Sequence, residues 1–327
     1  MAEYLQDDVF LKMWCPTTTQ WYKYSDKSWQ CHCQSGQASQ RISIITAVKD
    51  REHEFVDAVS SLSKQIISSL EKQNITVEHV IQDGGGPSRV KIIESHSKFH
   101  TILSTSPDFG LYSGFNMGLK LASGNYIGFL NSDDMYEKFF LEKSITHLNA
   151  SGCDWVFGNI IIKQNKANYY IPGKVDYFMK PWMNFSRFHH NTVLARREIF
   201  EKIGHFPETL MGRKLKYCAD YWWFIRAQQS GFIGVYCPDL IGFMQDGGAS
   251  SGSKKEIYQE AAFVAQTLYP SKTLQIRIIW LLRFIDNEYL SRFNMGLVRK
   301  FRSIGRKIYG LIAGYAFNFR VEAGTKR

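Results

Sequence analysis

The first clear pattern in the chain is Arg41-Ile-Ser-Ile-Ile-Thr-Ala-Val48, a β-branched run that predicts a buried strand. Phe55, Val59, Leu62, Ile66 and Leu70 follow at intervals of four, three, four and four, the spacing of one apolar face on a single amphipathic helix. Val77–Gln82 predicts a second strand that runs into Asp83-Gly-Gly-Gly-Pro87, and a helix around Arg89–Ser97 follows. Thr101–Ser104 predicts a third strand. A helix from about Tyr112 to Ala122 comes next, with Gly124 placed to end it. Tyr126–Leu130 is a fourth apolar strand, ending in Asn131-Ser-Asp-Asp134.

This alternation of strand and helix predicts an α/β protein with a mostly parallel central sheet covered by helices on both faces. Sheets of this kind bind ligands beyond the carboxyl ends of their strands. Asp50, Asp83, Asp133 and Asp134 all fall just past predicted strand ends. Residues 1–40 are polar and aromatic, show no periodicity, and are read as an N-terminal extension. The main domain is expected over 41–269 and a tail over 270–327.

Composition narrows the class. Of 327 residues, 44% are apolar and 21% charged, values that exclude disorder, collagen and coiled coil as whole-chain descriptions. The aromatic share of 15% suits pockets that hold rings or sugars. The net charge of +10 is lopsided: from Pro270 onward there are 12 Lys and Arg against 3 Asp and Glu, leaving the body with a net charge of +1. A neutral body gives nucleic-acid binding little support, so no nucleic-acid partner is expected. Six cysteines in a chain of this length make no disulfide framework, and Cys31-His32-Cys33 matches no common zinc spacing. The acidic first ten residues lack the apolar stretch of a signal peptide. The most apolar segment, Ile276–Ile285, is broken by Arg277 and Arg283. A cytoplasmic protein is expected.

Three segments carry candidate chemistry. Adjacent carboxylates at Asp133 and Asp134 repel, and a hard divalent cation beside them relieves this. The alternative is that they cap a helix starting near Tyr136. Asp220, in Cys218-Ala-Asp-Tyr-Trp-Trp-Phe-Ile-Arg226, opens an aromatic-rich helix, where it either caps the helix or serves as a general base. The pair His189-His190 precedes the apolar strand Thr192–Ala195, as a structural element, as the lining of a polar pocket or within reach of a metal. No phosphate-binding P-loop, nucleophile elbow, zincin or dinucleotide glycine motif is present, so kinase, serine-hydrolase, zincin and dehydrogenase readings lose their main support.

Taken in order, these segments resemble inverting glycosyltransferases of family 2 with the GT-A fold, over about Arg41 to Ser251. The resemblance rests on Ile42–Val48, Val80-Ile-Gln-Asp-Gly-Gly85, Pro107-Asp-Phe-Gly-Leu-Tyr-Ser-Gly-Phe-Asn-Met-Gly118, Ala122 through Asp134, His190-Asn-Thr-Val-Leu and Ala219-Asp-Tyr. It implies a nucleotide-sugar pocket lined by Thr46, Asp50 and Asp83, with Asp108, Gly110 and Asn116 from the next loop and Asn131, Ser132 and Asp133 beyond it. It also implies Mn²⁺ or Mg²⁺ on Asp133 and Asp134, Asp220 as base, and an acceptor pocket containing His190, Trp222 and Trp223.

The chain departs from the family pattern at Asn131, where an acid is usual, and at Trp222, where a second Asp is frequent. Asn131 is the one feature favouring a non-catalytic nucleotide-sugar or glycan binding module. The implied donor is a nucleoside diphosphate sugar, UDP-linked by preference. The implied acceptor is a saccharide or lipid-linked saccharide in surface-polysaccharide synthesis. Leu274–Ile285 and Leu297–Tyr315 mix large apolar residues with Arg and Lys. They suggest peripheral contact with an anionic membrane, at the inner face of the cell membrane.

Overall fold

A computed structural model of the chain describes residues 10–23, 40–85, 89–164, 168–173, 189–245 and 254–288, together with 304, 305 and 308. It divides into two compact units, 1–252 and 253–327. The division falls earlier than the break at 270 expected from charge.

The first unit is built on one sheet. Its central strands are β3 (Gln40–Val48), β4 (Ile75–Asp83), β5 (His100–Thr105) and β6 (Tyr126–Phe129). They run parallel in the spatial order β5-β4-β3-β6, so the chain starts in the middle and winds outward to both sides. The central strands are β-branched and almost wholly buried, as expected for strands covered on both faces. This bears out the α/β reading.

Helix α1 (Glu52–Ser63) buries Phe55, Val59 and Leu62, and α2 (Ser68–Lys72) buries Leu70. The single helix expected across 55–70 is therefore two. The Gln65 side-chain amide donates to the Glu137 carbonyl at 2.7 Å, and the Ile66 N–H donates to the Lys138 carbonyl at 3.0 Å. A tertiary hydrogen-bond pair thus replaces one helical turn. Helices α3 (Val90–His96) and α4 (Leu111–Leu121) complete the winding where periodicity placed them.

Beyond β6 the sheet becomes mixed. The Asp pair does not cap a helix: Asp134 opens β7 (Asp134–Tyr136), and α5 (Phe140–Ser151) begins only later. Strand β8 (Trp155–Lys163) carries β9 (Tyr169–Ile171) at its end. A turn at His190–Thr192 leads into β10 (Leu194–Arg196), which lies antiparallel between β6 and β8. Helix α6 (Arg197–Ile203), a two-stranded hairpin of β11 (Thr209–Leu210) and β12 (Arg213–Lys214), and α7 (Ala219–Gln229) follow. Strand β13 (Gly234–Gln245) then pairs with both β8 and β7.

Part of the N-terminal extension belongs to the sheet. Strands β1 (Phe10–Cys15) and β2 (Gln20–Lys23) form a hairpin that adds antiparallel to β5 and buries Met13 and Trp14. Cys31 to Cys33 lie outside the described residues.

In the second unit, α8 (Lys254–Leu268) and α9 (Thr273–Glu288) pack on each other, with Tyr258 against Trp280 and the Arg277 guanidinium donating to Gln266. Most of the second basic segment, 297–315, lies outside the described residues. Among the described residues no helix is long and apolar enough to cross a membrane.

Candidate active site

The winding brings the carboxyl ends of β3, β4 and β6 side by side, and the polar residues that follow these strands form two linked groups. The first is an acidic group at β3 and β4. Asp83, the last residue of β4, is 2% exposed and lies 3.6 Å from the Arg89 guanidinium, which in turn sits over the Phe55 ring. Burial pushes the Asp83 carboxyl above the usual carboxylate range. Arg89 and the Gly85 N–H pull it back, while Asp108 and Asp50 add to the upward push. Asp108 presses against Gly84, where any side chain would collide with its carboxylate, and accepts the Gly110 N–H at 3.0 Å. Gly110 has φ of 123°, open only to glycine at no cost, and lets the chain turn into α4. Asp50 is exposed, with φ of 53°. These residues thus form one electrically coupled acidic mouth.

Two residues of the expected donor pocket turn inward instead. Thr46 is fully buried and bonds to His79 Nε2 at 2.9 Å, so its hydroxyl is committed to the core. Asn116 is buried, donates to the Phe206 carbonyl and the Glu208 carboxylate, and accepts the Phe206 N–H. It pins the segment before β11 rather than facing a ligand.

The second group centres on the end of β6. Asp133 is partly exposed and pairs with the Arg51 guanidinium at 3.2 Å; Ser132 is buried between the two Asn131 and Asp133 positions in sequence. Asp134 points the other way. It is 1% exposed, and its Oδ2 accepts the side-chain amides of Asn131 at 2.8 Å and Asn191 at 2.9 Å. Burial first, and then the Asp133 charge, raise its carboxyl to about 7 against the pull of those amides. Of the pair expected to share a metal, Asp134 is buried with its Oδ2 held by amides, and Asp133 is the carboxylate that faces outward. Among the described residues no three His, Cys, Asp or Glu side chains converge as a metal cage. A divalent ion here would rest on Asp133. The side-chain cation Arg51 already balances that carboxylate, which fits a position built to meet positive charge.

From Asn131 the hydrogen bonds continue. Its Oδ1 faces His190 Nε2 at 2.9 Å, and His190 Nδ1 faces Asp220 Oδ2 at 3.2 Å. Asp220 Oδ1 accepts the Tyr221 N–H at 2.8 Å and lies 2.9 Å from the Tyr112 hydroxyl. Burial, then the neighbouring Asp220 charge, hold the Tyr112 hydroxyl well above its ordinary range, so it remains a neutral donor. The imidazole packs edge-on to Phe115 at 5.3 Å. Asp220 occupies the first turn of α7, where the macrodipole favours its negative charge, but no side-chain cap is made.

The two tryptophans diverge. Trp223 is 1% exposed, stacks on Phe200 at 4.2 Å and donates its indole N–H to the Gly204 carbonyl. It belongs to the aromatic core beneath the site and is removed from the acceptor pocket. Trp222 is half-buried, with Arg226 near its ring. Sequence reasoning gave no role to Arg51, Tyr112 or Asn191. Tyr112 and Asn191 stood inside segments that carry the family resemblance, which was the available signal. Arg51 is an ordinary polar residue whose partner Asp133 is brought in by a distant strand end.

The structure is an α/β fold on a mixed sheet, with carboxylates gathered at the ends of its parallel central strands. The model of the family described as Glycosyl transferase family 2 matches residues 43–222, more than half of the chain, and the chain belongs to that family.

Among relatives, glycosyltransferase AglE of Haloferax volcanii is 21% identical over 206 residues, covering 62% of this chain and 66% of AglE. The Escherichia coli protein named UDP-Glc:alpha-D-GlcNAc-diphosphoundecaprenol beta-1,3-glucosyltransferase WfgD is 27% identical over 139 residues, 42% of this chain and 53% of WfgD. The chain thus spans less than two thirds of either relative. The fold matches S. aureus TarS 1-349 in complex with UDP-GlcNAc at a TM-score of 0.57 and 16% identity, covering 86% of this chain and 94% of that one. It also matches the mannosyltransferase PcManGT from Pyrobaculum calidifontis, in complex with GDP-Man and Mn2+, at 0.53 and 13% identity, covering 90% and 78%. At such identities the likeness is one of fold.

Proposed function

We propose that the chain transfers a sugar, with inversion, from a nucleoside diphosphate sugar to an acceptor hydroxyl, with Asp220 as general base. The observation that carries this reading is the setting of Asp220: a carboxylate at the strand ends, held by Tyr112, the Tyr221 N–H and His190, and still 15% exposed.

In this reading Asp50, Asp83 and Asp108 receive the base and ribose of the donor, with UDP preferred. The acceptor O–H proton passes to Asp220 as the acceptor oxygen bonds to the anomeric carbon. The bond from that carbon to the diphosphate breaks on the opposite face, and its electron pair leaves with the nucleoside diphosphate. Asp133 would hold Mn²⁺ or Mg²⁺, which supplies Lewis-acid stabilisation to the departing diphosphate. Asn131, the residue that favoured a non-catalytic module, is fully engaged by Asp134 and His190, so its amide is accounted for within a working site.

The acceptor is proposed to be a lipid-linked saccharide, as the name of WfgD suggests for that relative. One face of α9 supports a membrane position. Leu274 and Leu281 are largely exposed and share that face with exposed Arg277, an arrangement suited to a headgroup plane. A thermal-shift series of nucleotide sugars with Mn²⁺ tests the donor. A donor at 100 times its Kd adds about 2.7 kcal/mol of stability, and no shift from any nucleotide sugar overturns the reading.

A further inference from the structure

The hydrogen-bond chain Asp134–Asn131–His190–Asp220 has a direction that the donors and acceptors dictate. Asp134 Oδ2 in its carboxylate form receives two amide N–H groups, from Asn131 and Asn191, so Asn131 turns its Nδ2 toward Asp134 and its Oδ1 toward His190. Nε2 of His190 must then carry a proton in order to donate to that Oδ1. With Nε2 committed, Nδ1 is the only ring nitrogen left for Asp220 Oδ2. The two atoms lie 3.2 Å apart. Oδ1 of Asp220 accepts the Tyr221 N–H and lies 2.9 Å from the Tyr112 hydroxyl, which the Tyr217 carbonyl faces at the same distance. With Oδ1 held on that side, Oδ2 beside His190 is the oxygen offered to an incoming hydroxyl.

We propose that Asn131 and His190 are positioning residues for the base: the amide fixes the imidazole, and the imidazole aims Asp220 so that Oδ2 meets the acceptor. This rests on the base reading of Asp220. It also gives Asn131 a reason to be an amide. A carboxylate there would set a second acid against buried Asp134 and would have no N–H to give it. The groups facing the imidazole are Asp220 from α7, Asn131 from the end of β6, and Phe115 from α4. His189 precedes it in the chain and is held neutral by burial, with its pKa lowered to about 4. Asp134 acts on it through Asn131.

The test has two arms. In ¹⁵N-histidine-labelled protein without ligand, His190 is assigned by the signal lost in His190→Gln. Its Nε2–H is expected as a slowly exchanging resonance that disappears in Asn131→Ala and survives in Asp220→Asn. Persistence of the protected proton in a folded Asn131→Ala overturns the proposal, whether or not Asp220 is the base.

The second arm measures UDP release from UDP-GlcNAc with Mn²⁺. Asn131→Asp is expected to lower kcat at least about tenfold while leaving the donor KM within about threefold. His190→Asn, whose amide can take the place of Nδ1, is expected to retain several-fold more activity than His190→Gln, whose amide reaches only toward Asn131. Wild-type kcat in Asn131→Asp, or His190→Gln as active as His190→Asn, also overturns it. Loss of the base reading alone would show instead as an active Asp220→Asn with the protected Nε2–H intact.

Discussion

Asp134 offers a quantitative check on the arrangement beneath the site. Its carboxyl is 1% exposed, and burial together with the Asp133 charge raises it from 3.8 to about 7. A group whose folded pKa lies above its unfolded value binds more protons in the native state, so stability falls as pH rises between the two values. From pH 5 to pH 8 the native protein should lose about 2.5 kcal/mol through this group alone, at ~1.36 kcal/mol per pH unit. Asp134→Asn removes the titration and keeps an oxygen for the amides of Asn131 and Asn191. The two proteins should be compared by urea unfolding at pH 5 and pH 8, with EDTA present so that no cation rests on Asp133. Other titrating groups cancel in the difference. The account requires the variant to gain about 2.5 kcal/mol relative to wild type between pH 5 and pH 8. A pH-independent difference, or one of opposite sign, would refute the burial of an ionisable Asp134.

His79 should act in the opposite direction. It is buried and neutral, with its pKa lowered from 6.5 to about 3, so its contribution is complete above pH 6.5 and is lost as pH falls. His79→Gln should flatten the acid limb of stability by about 2 kcal/mol between pH 7 and pH 5, read by the same unfolding curves. Trp223→Ala should cost about 3–5 kcal/mol of stability, as a large core truncation does, whereas Trp222→Ala should leave the melting temperature nearly unchanged and raise the acceptor KM. Gly118→Ala should destabilise by about 1–3 kcal/mol, because its Cβ would lie 2.5 Å from Ile45 Cγ2 where α4 meets β3. Sedimentation with anionic liposomes should carry the full chain down at low salt and release it at high salt, and a chain ending near Pro270 should stay in the supernatant. If both stay in solution, the tail has no membrane role.

The winding of the first unit was readable because β3 and β4 are β-branched runs and β6 an apolar one, all buried, and such runs stand out without any knowledge of partners. What escaped was set by distant pairing. Residues 10–23 show no alternation, because β1 buries Met13, Trp14 and Cys15 in succession at the sheet edge under its own hairpin partner. The helix start near Tyr136 that offered Asp134 a capping role is a strand, because β13, far later in the chain, pairs with β7. Ile66 keeps helical spacing although the Gln65 amide and the loop at Glu137 interrupt the helix there.

The site divided along the same line. Asp83, Asp108, Asp133 and Asp220 announce themselves by following strand ends or opening a helix. Whether a polar side chain such as Thr46 or Asn116 faces the ligand or the core depends on partners like His79 and Phe206, which no local pattern reveals.

The central claim is that Asp220 removes the acceptor proton in transfer from a nucleotide sugar. The most direct measurement is nucleoside diphosphate release by wild type and Asp220→Asn, using the donor that stabilises both proteins equally in thermal shift. A positioned general base contributes about 10²–10⁴-fold. The account therefore predicts that the variant loses that factor in kcat, roughly 3–5 kcal/mol of transition-state stabilisation, while donor binding is kept. Equal turnover by the two proteins would contradict it.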